Sequence, residues 1–208
     1  MSKPKLENDA FLDGANLHIG VKGQGWQVDY KRLRVWLEEK LGVKKAYLFI
    51  GLVPGNSNLY RSLQEAGFIL IFKPTVTDGN GKIKGNCDAD MVLNIVSGAY
   101  EKRFKKAVIV TSDGDFYGVV EFLKKRGQLL RVISPSPKCS ILIKRTGAPI
   151  SYLKEIKELV QKEPKKKKPP VKTELHKGLS RGDSIKTLSK RTNKIKGVRV
   201  NTINKLRT

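Results

Sequence analysis

The sequence is poor in the residues that build disulfide frameworks, zinc sites and histidine-dependent catalytic centres. Among 208 residues it has two cysteines, Cys87 and Cys139, and two histidines, His18 and His176. The cysteines lack the paired spacing of a metal motif, so we expect neither a disulfide framework nor a zinc site. With so few histidines, a Ser-His-Asp or Cys-His arrangement is also disfavoured.

Long apolar runs and nucleotide-binding motifs are lacking as well. No stretch approaches the roughly 20 apolar residues that a membrane helix needs, and residues 1–9 contain no apolar signal core. We therefore expect a soluble, cytoplasmic protein without a membrane partner. No Walker-type glycine-rich loop is present, and no Gly-x-Gly-x-x-Gly follows the first predicted strand, which disfavours nucleotide-cofactor binding.

Negative charge is scarce relative to positive charge. The chain has 42 Lys and Arg against 19 Asp and Glu, a formal net charge of +23. Such a balance favours a polyanionic partner, most simply nucleic acid, with a membrane surface as the second alternative. Charge alone does not distinguish RNA from DNA. Residues 162–208 carry 16 basic and three acidic residues and no aromatic residue. We interpret them as a basic linker and tail, after an arm at 1–8 and a domain at 9–161.

The domain alternates short apolar strands with helical segments. Strands are predicted at Phe11–Leu12, Ala46–Gly51, Phe68–Phe72, Ala107–Val110 and Leu129–Ile133. This alternation predicts an α/β fold, a central and mostly parallel sheet of about five strands with helices on both faces. Asp29 is predicted to cap a helix over Tyr30–Leu41, and a final strand end and helix at Ile150–Val160 should bury Leu153, Ile156 and Leu159.

The few acidic residues of the domain gather where strands end and helices begin. Asp13 follows the first strand, Asp88 and Asp90 begin an apolar helical segment, and Asp113 and Asp115 follow the buried run Ala107–Val110. In an open α/β sheet, ligands bind at this edge. A single Asp in such a turn is more often a helix cap, but three acidic sites at strand ends and helix starts can converge on one metal site.

Carboxylates without His or Cys partners suit Mg²⁺ or Mn²⁺. The expected ligands are Asp13, Asp88, Asp113 and Asp115. Asp90 is rotated by roughly 200° from Asp88 on a helix, so we favour Asp88 and keep Asp90 as a further ligand or a cap. A basic protein with such a site would bring an acidic substrate to a cation, and the matching reaction is phosphodiester hydrolysis.

Two loops beside these acids leave alternatives open. Val21–Gln27 is glycine-rich and predicted to be a mobile loop, on which Trp26 either stacks on a base or packs on the core. His18 is either a surface residue or an acid-base group. The Asp-Gly-Asn-Gly turn at 78–81 predicts a hairpin whose lysines, Lys84 among them, either contact phosphates or are solvated.

Three motifs resemble those of NYN domains of the LabA-like group, within the PIN-like nuclease superfamily. They are Phe11-Leu12-Asp13-Gly14-Ala15-Asn16, Lys84-Gly85-Asn86-Cys87-Asp88-Ala89-Asp90 and Thr111-Ser112-Asp113-Gly114-Asp115-Phe116. The resemblance covers about residues 8 to 160. It implies a Rossmann-like three-layer α/β/α sandwich and a metal-dependent ribonuclease site formed by Asp13, Asp88, Asp113 and Asp115.

The leading hypothesis is a Mg²⁺- or Mn²⁺-dependent ribonuclease. In it, Asn16, Ser112, Thr111 and Lys84 lie beside the acids and bind the substrate. The alternative is a non-catalytic RNA-binding or regulatory protein on the same fold. A Mg²⁺-dependent phosphatase of the haloacid dehalogenase kind ranks lower. Such an enzyme needs a nucleophilic Asp followed two residues later by a second Asp, whereas Asp13 is followed by Gly14-Ala15. Oligomeric state stays open, with a homodimer as one alternative.

Overall fold

The computed structural model describes residues 7–74, 76–77, 83–84 and 88–163, and at 74, 76–77 and 83–84 it describes the backbone alone. Predictions for the turn at 78–81, for Gly85-Asn86-Cys87 and for the basic segment after Glu163 lie outside these residues.

The described chain alternates strands and helices along most of its length. The strands are β1 Asn8–Asp13, β2 Val43–Leu52, β3 Phe68–Pro74, β4 Val76–Thr77, β5 Ile83–Lys84, β6 Ala107–Val110, β7 Leu129–Ser134 and β8 Ile150–Tyr152. The α-helices are α1 Gly14–Lys22, α2 Tyr30–Leu41, α3 Ser57–Glu65, α4 Asp88–Tyr100, α5 Tyr117–Lys125, α6 Ile141–Arg145 and α7 Lys157–Val160. Two 3₁₀ turns, Gly114–Phe116 and Leu153–Ile156, precede α5 and α7.

Six of these strands form one parallel sheet in the order β3-β2-β1-β6-β7-β8. The predicted α/β class and parallel sheet are confirmed, with one strand more than the expected five. The sixth strand, β8, pairs with β7 over three residues and begins at Ile150, where the sequence predicted a final strand end. β4 and β5 pair antiparallel as the predicted hairpin.

The strand order reverses between β1 and β6. The chain builds β1, β2 and β3 outward in one direction, then returns to the other side of β1 to build β6, β7 and β8. In doubly wound sheets, a crevice opens at the carboxyl ends of the two strands that flank such a reversal. Here those two strands lead directly into Asp13 and Thr111.

A hydrophobic core lies on each face of the sheet, so the three-layer arrangement is confirmed. One core packs α1, α2 and α3 on the sheet through residues such as Leu17, Leu33 and Leu63. The other packs α4, α5 and α6 through residues such as Ile95 and Leu123. The alternating directions of side chains along each strand supply both faces.

The capping and ending residues predicted for α2 are confirmed, whereas the buried residues predicted for the end of the domain are confirmed only in part. Asp29 accepts a hydrogen bond from Arg32 N at 3.1 Å, and Gly42 ends the helix in the left-handed conformation. Leu159, expected in the core, is 58% exposed, and Val160 is buried instead. At the α-helical spacing of about 3.6 residues per turn, a residue seven positions after the buried Leu153 lies on the same face, which favours Val160 over Leu159. No α-helix of the described residues is long and apolar enough to cross a membrane.

Candidate active site

Asp13 links the end of β1 to the start of α1. Its Oδ1 accepts a hydrogen bond from Asn16 N at 3.0 Å, which satisfies one of the open donors of the helix N terminus. Gly14 makes the tight turn feasible, because a Cβ there would lie 2.7 Å from the carbonyl oxygen of Phe49 on β2. Burial raises the pKa of Asp13, and the carboxylates of Asp88 and Asp113 raise it further, while the Asn16 N–H lowers it.

The loop after β6 is held by its own side chains. The buried hydroxyl of Thr111 accepts a hydrogen bond from Asp113 N at 3.1 Å. Asp113 Oδ1 in turn accepts one from Asp115 N at 3.0 Å and starts the 3₁₀ turn, which Phe116 anchors in the core. Thr111 therefore helps to fix the conformation of the loop, and its contact with substrate stays a prediction.

Asn16 ties this loop to α1. Its Oδ1 accepts hydrogen bonds from Ser112 N at 2.9 Å and from Ser112 Oγ at 2.8 Å. Because a backbone N–H can only donate, the amide oxygen of Asn16 must face Ser112, and this fixes the orientation of the amide group. The two acidic motifs, about 100 positions apart in sequence, are thus joined through one side chain.

Three carboxylates converge beside this junction. One oxygen from each of Asp88, Asp113 and Asp115 lies within 4.8 Å of the other two. Asp88 begins α4, Asp113 caps the 3₁₀ turn after β6, and Asp115 lies within that turn. Asp13 is not in this group of three, although it is near enough for Asp88 and Asp113 to influence its pKa. Asp88 and Asp113 are half-buried, and Asp115 is exposed.

Asp90 lies outside the group of three carboxylates. It forms an ion pair with Lys73 of β3, with 3.4 Å between Asp90 Oδ2 and Lys73 Nζ. The helical rotation between Asp88 and Asp90 accounts for this separation. The side chain of Lys84, predicted to bind substrate, lies outside the described residues.

Sequence reasoning missed the contribution of Ser140 to the acidic loop. Ser140 N donates to Ser112 O at 3.0 Å, and a Cβ on Gly114 would lie 2.5 Å from Ser140 Oγ. Ser140 also caps α6 through its hydrogen bond from Leu142 N. A serine before an apolar segment is a cap signal, but nothing local in the sequence indicates which loop it touches.

The two residues whose roles the sequence left open, His18 and Trp26, differ in their exposure. His18 is exposed on α1. Trp26 is 7% exposed and belongs to the core on the α1 face, as its packing alternative predicted. The segment predicted to be a mobile loop begins later than expected, because α1 continues to Lys22.

Comparison with known protein families assigns the chain to one of them. The family model for the NYN domain matches residues 10–148. The chain belongs to the NYN domain family. NYN domains are part of the PIN-like superfamily, and the match includes all four acids that the motifs indicated. It concerns the family as a whole, so the LabA-like group stays a prediction.

A solved structure shares this NYN fold. A Vibrio parahaemolyticus protein of unknown function superimposes with a TM-score of 0.58 at 21% sequence identity, over 74% of this chain and 96% of that chain. At that identity the likeness concerns the fold alone. No curated protein matches the chain at a significant level.

The donor set of the NYN domain fits a hard divalent cation. The three clustered groups offer carboxylate oxygens only, and Mg²⁺ and Mn²⁺ prefer such ligands. Three carboxylates this close repel one another unless a cation or protons neutralise them. The site can therefore hold a divalent cation at the crevice where the strand order reverses.

Proposed function

We propose that this NYN domain is a ribonuclease that hydrolyses RNA phosphodiester bonds with bound Mg²⁺ or Mn²⁺. The observation that carries the proposal is the convergence of Asp88, Asp113 and Asp115 within 4.8 Å at the strand reversal. The net charge of +23 supports a nucleic-acid substrate. PIN-like membership supports nuclease chemistry.

Each residue of the site has a role in this proposal. Asp88, Asp113 and Asp115 would hold the cation, and Asp13 adds a fourth carboxylate beside them. A bound Mg²⁺ or Mn²⁺ supplies charge neutralisation at the phosphate and a more acidic water. Asn16 points its oxygen at Ser112, so its amide nitrogen is the donor that it can offer a phosphate oxygen.

One observation favours a second candidate, a non-catalytic RNA-binding protein. Asp13 and Asp113 each use an oxygen to accept a backbone N–H, from Asn16 and Asp115 respectively. These carboxylates therefore stabilise two loop conformations without any cation. Acids kept for that purpose alone would leave the fold and the RNA surface intact in the absence of catalysis.

A cleavage assay with matched variants separates the two candidates. Labelled RNA and DNA pools are incubated with the full chain and Mn²⁺, Mg²⁺ or a chelator. We expect metal-dependent cleavage of RNA that Asp113→Asn and Asp88→Asn abolish, with RNA binding retained. Asp90→Asn, which removes the carboxylate paired with Lys73, is the control and should retain most activity.

Three outcomes would count against the ribonuclease assignment as stated. Tight RNA binding without cleavage under any metal favours the binding protein. Loss of RNA binding in parallel with activity in Asp113→Asn indicates that the substitution disturbs the fold or the RNA surface. Cleavage of DNA in preference to RNA would keep the chemistry and change the substrate.

A further inference from the structure

A cavity of about 620 Å³ lies on the α1 face of the sheet, apart from the three clustered acids. We call it the Trp26 groove. It is bordered by α1, by the connection to α2, by the first turn of α2 and by α3, and its walls include His18, Lys22, Trp26, Tyr30, Lys31 and Lys162. A cavity of this size accommodates a ligand of one or two nucleotides.

The inner wall of the Trp26 groove combines aromatic surface with an unused donor. Trp26 is 7% exposed, and among the described residues its buried Nε1 has no hydrogen-bond partner. Buried polar atoms rarely lack partners, so this indole N–H is a donor that an ordered water or a bound ligand atom can satisfy. Tyr30 lies half-buried beside it, edge-on to Phe68. Aromatic rings with polar edges suit a nucleobase.

The rim of the groove is positively charged. Three exposed lysines line it, namely Lys22, Lys31 and Lys162. Two acids, Asp29 and Glu65, line it as well. Asp29 is already engaged by Arg32, which donates its backbone N–H and forms an ion pair at 3.9 Å. The remaining positive charge complements the phosphates of a strand whose bases enter the groove.

α1 connects the groove to the candidate active site. Asn16, in its first turn, is hydrogen-bonded to the acidic loop, while His18 and Lys22 further along the helix line the groove. The nine residues of α1 span roughly 12 Å at 1.5 Å per residue. Roughly four stacked nucleotides at 3.4 Å each cover that length.

We propose that the Trp26 groove binds single-stranded RNA a few nucleotides from the scissile phosphate, with a base on the half-buried ring of Tyr30, next to the largely buried Trp26, and phosphates against Lys22 and Lys31. This inference rests on the proposed function for the identity of the strand. It adds a base-accepting subsite on a different face of the domain from the acid cluster.

Tryptophan fluorescence tests the subsite directly. The chain has two tryptophans, Trp26 and Trp36, and residues 162–208 contain none, so the signal does not report RNA held by that segment. The full-length variants Trp36→Phe and Trp26→Phe are titrated with a 12-nucleotide single-stranded RNA in chelator. We expect saturable quenching in Trp36→Phe and its loss in Trp26→Phe. Equal quenching in both variants would overturn the proposal.

Charge-removing variants provide a second test that does not depend on a core substitution. Lys22→Ala/Lys31→Ala should weaken binding of the RNA, followed by quenching in the Trp36→Phe background, about tenfold through lost phosphate contacts. Lys40→Ala, at an exposed position in the last turn of α2, should leave it unchanged. Unchanged binding in the double variant would contradict the groove assignment.

Titration with mononucleotides distinguishes a groove that binds an RNA strand from a pocket that binds a single free nucleotide. If UMP or AMP alone quenches Trp26 as tightly as the 12-nucleotide RNA, the strand path is wrong. Because all titrations are made without metal, the result is independent of cleavage. Quenching in these titrations together with no hydrolysis in the metal-containing cleavage assay would support the groove and count against the nuclease. Hydrolysis in that assay with no quenching of Trp26 would support the nuclease and count against the groove.

Discussion

Asn16 and Ser112 hold two strand ends together through one amide oxygen, which accepts from Ser112 N at 2.9 Å and from Ser112 Oγ at 2.8 Å. The relationship places the start of α1 against the loop that carries Asp113 and Asp115. Its consequence is that the geometry of the acids depends on a residue that is not itself acidic.

Asn16→Ala should destabilise the domain by about 1–3 kcal/mol, because it leaves the Ser112 N–H without its acceptor. Denaturant unfolding at equilibrium measures this change. The control is Asn56→Ala, since Asn56 is exposed and makes no side-chain cap hydrogen bond at the start of α3. An equal effect of the two substitutions would contradict the role of Asn16.

Asn16→Asp separates geometry from charge at the same position. The carboxylate can still accept from Ser112, but it adds a negative charge beside Asp13 and the three clustered acids. We expect a lower thermal midpoint than wild type in chelator and a partial recovery in Mn²⁺. A midpoint independent of Mn²⁺ in both proteins would indicate that no cation binds here.

Gly14→Ala should destabilise the protein by about 1–3 kcal/mol, because the new Cβ would overlap the backbone carbonyl of Phe49, 2.7 Å away. Gly118→Ala is the matched control. Among the described residues, and apart from its chain neighbours and the backbone of its own helix, no atom lies within 4 Å of a Cβ at Gly118 in α5. This substitution should therefore gain about 0.5–1 kcal/mol. Thermal unfolding of both variants measures the contrast, and a shift of the same sign in both would refute the steric argument.

Asp115→Asn should raise the thermal midpoint in chelator, because it relieves repulsion within the group of three carboxylates. The same substitution should reduce the increase in midpoint that Mn²⁺ produces in wild type, since a ligand is lost. Differential scanning calorimetry of both proteins with and without Mn²⁺ tests both effects. If Asp115→Asn leaves the Mn²⁺ response unchanged, Asp115 is not a ligand.

Asp9 predicts a pH dependence of stability that is separate from the candidate site. It is 4% exposed, and burial raises its pKa to about 6 from 3.8, partly opposed by Lys45 and Arg103. Because the folded state binds this proton more tightly than the unfolded state, protonation of Asp9 stabilises the fold. This stabilisation is fully present below pH 3.8 and is lost as the pH rises through 6. The shift corresponds to about 3 kcal/mol.

Asp9→Asn should therefore be more stable than wild type at pH 7, with the difference shrinking toward pH 4. Taking the difference between the two proteins removes the titration of all other groups. Glu39→Gln, at an exposed position on α2, controls for the loss of one negative charge. A difference that does not vary with pH would show that Asp9 is not the titrating group.

Local patterns in the sequence were enough for the fold class and for the elements that carry the acids. Alternating apolar strands and helices predicted the parallel sheet, and capping residues such as Asp29 and Gly42 marked α2. These signals work because they depend on residues close together in the chain. The three acidic motifs together likewise pointed to the family that the comparison found.

Only the tertiary structure decided how the acids are arranged. It brings Asp88, Asp113 and Asp115 within 4.8 Å, keeps Asp13 engaged at the α1 cap, and pairs Asp90 with Lys73. Contacts such as those of Asn16 with Ser112, and of Ser140 with the same loop, join segments far apart in sequence. Their geometry follows from strand order and helix packing, which local propensities do not encode.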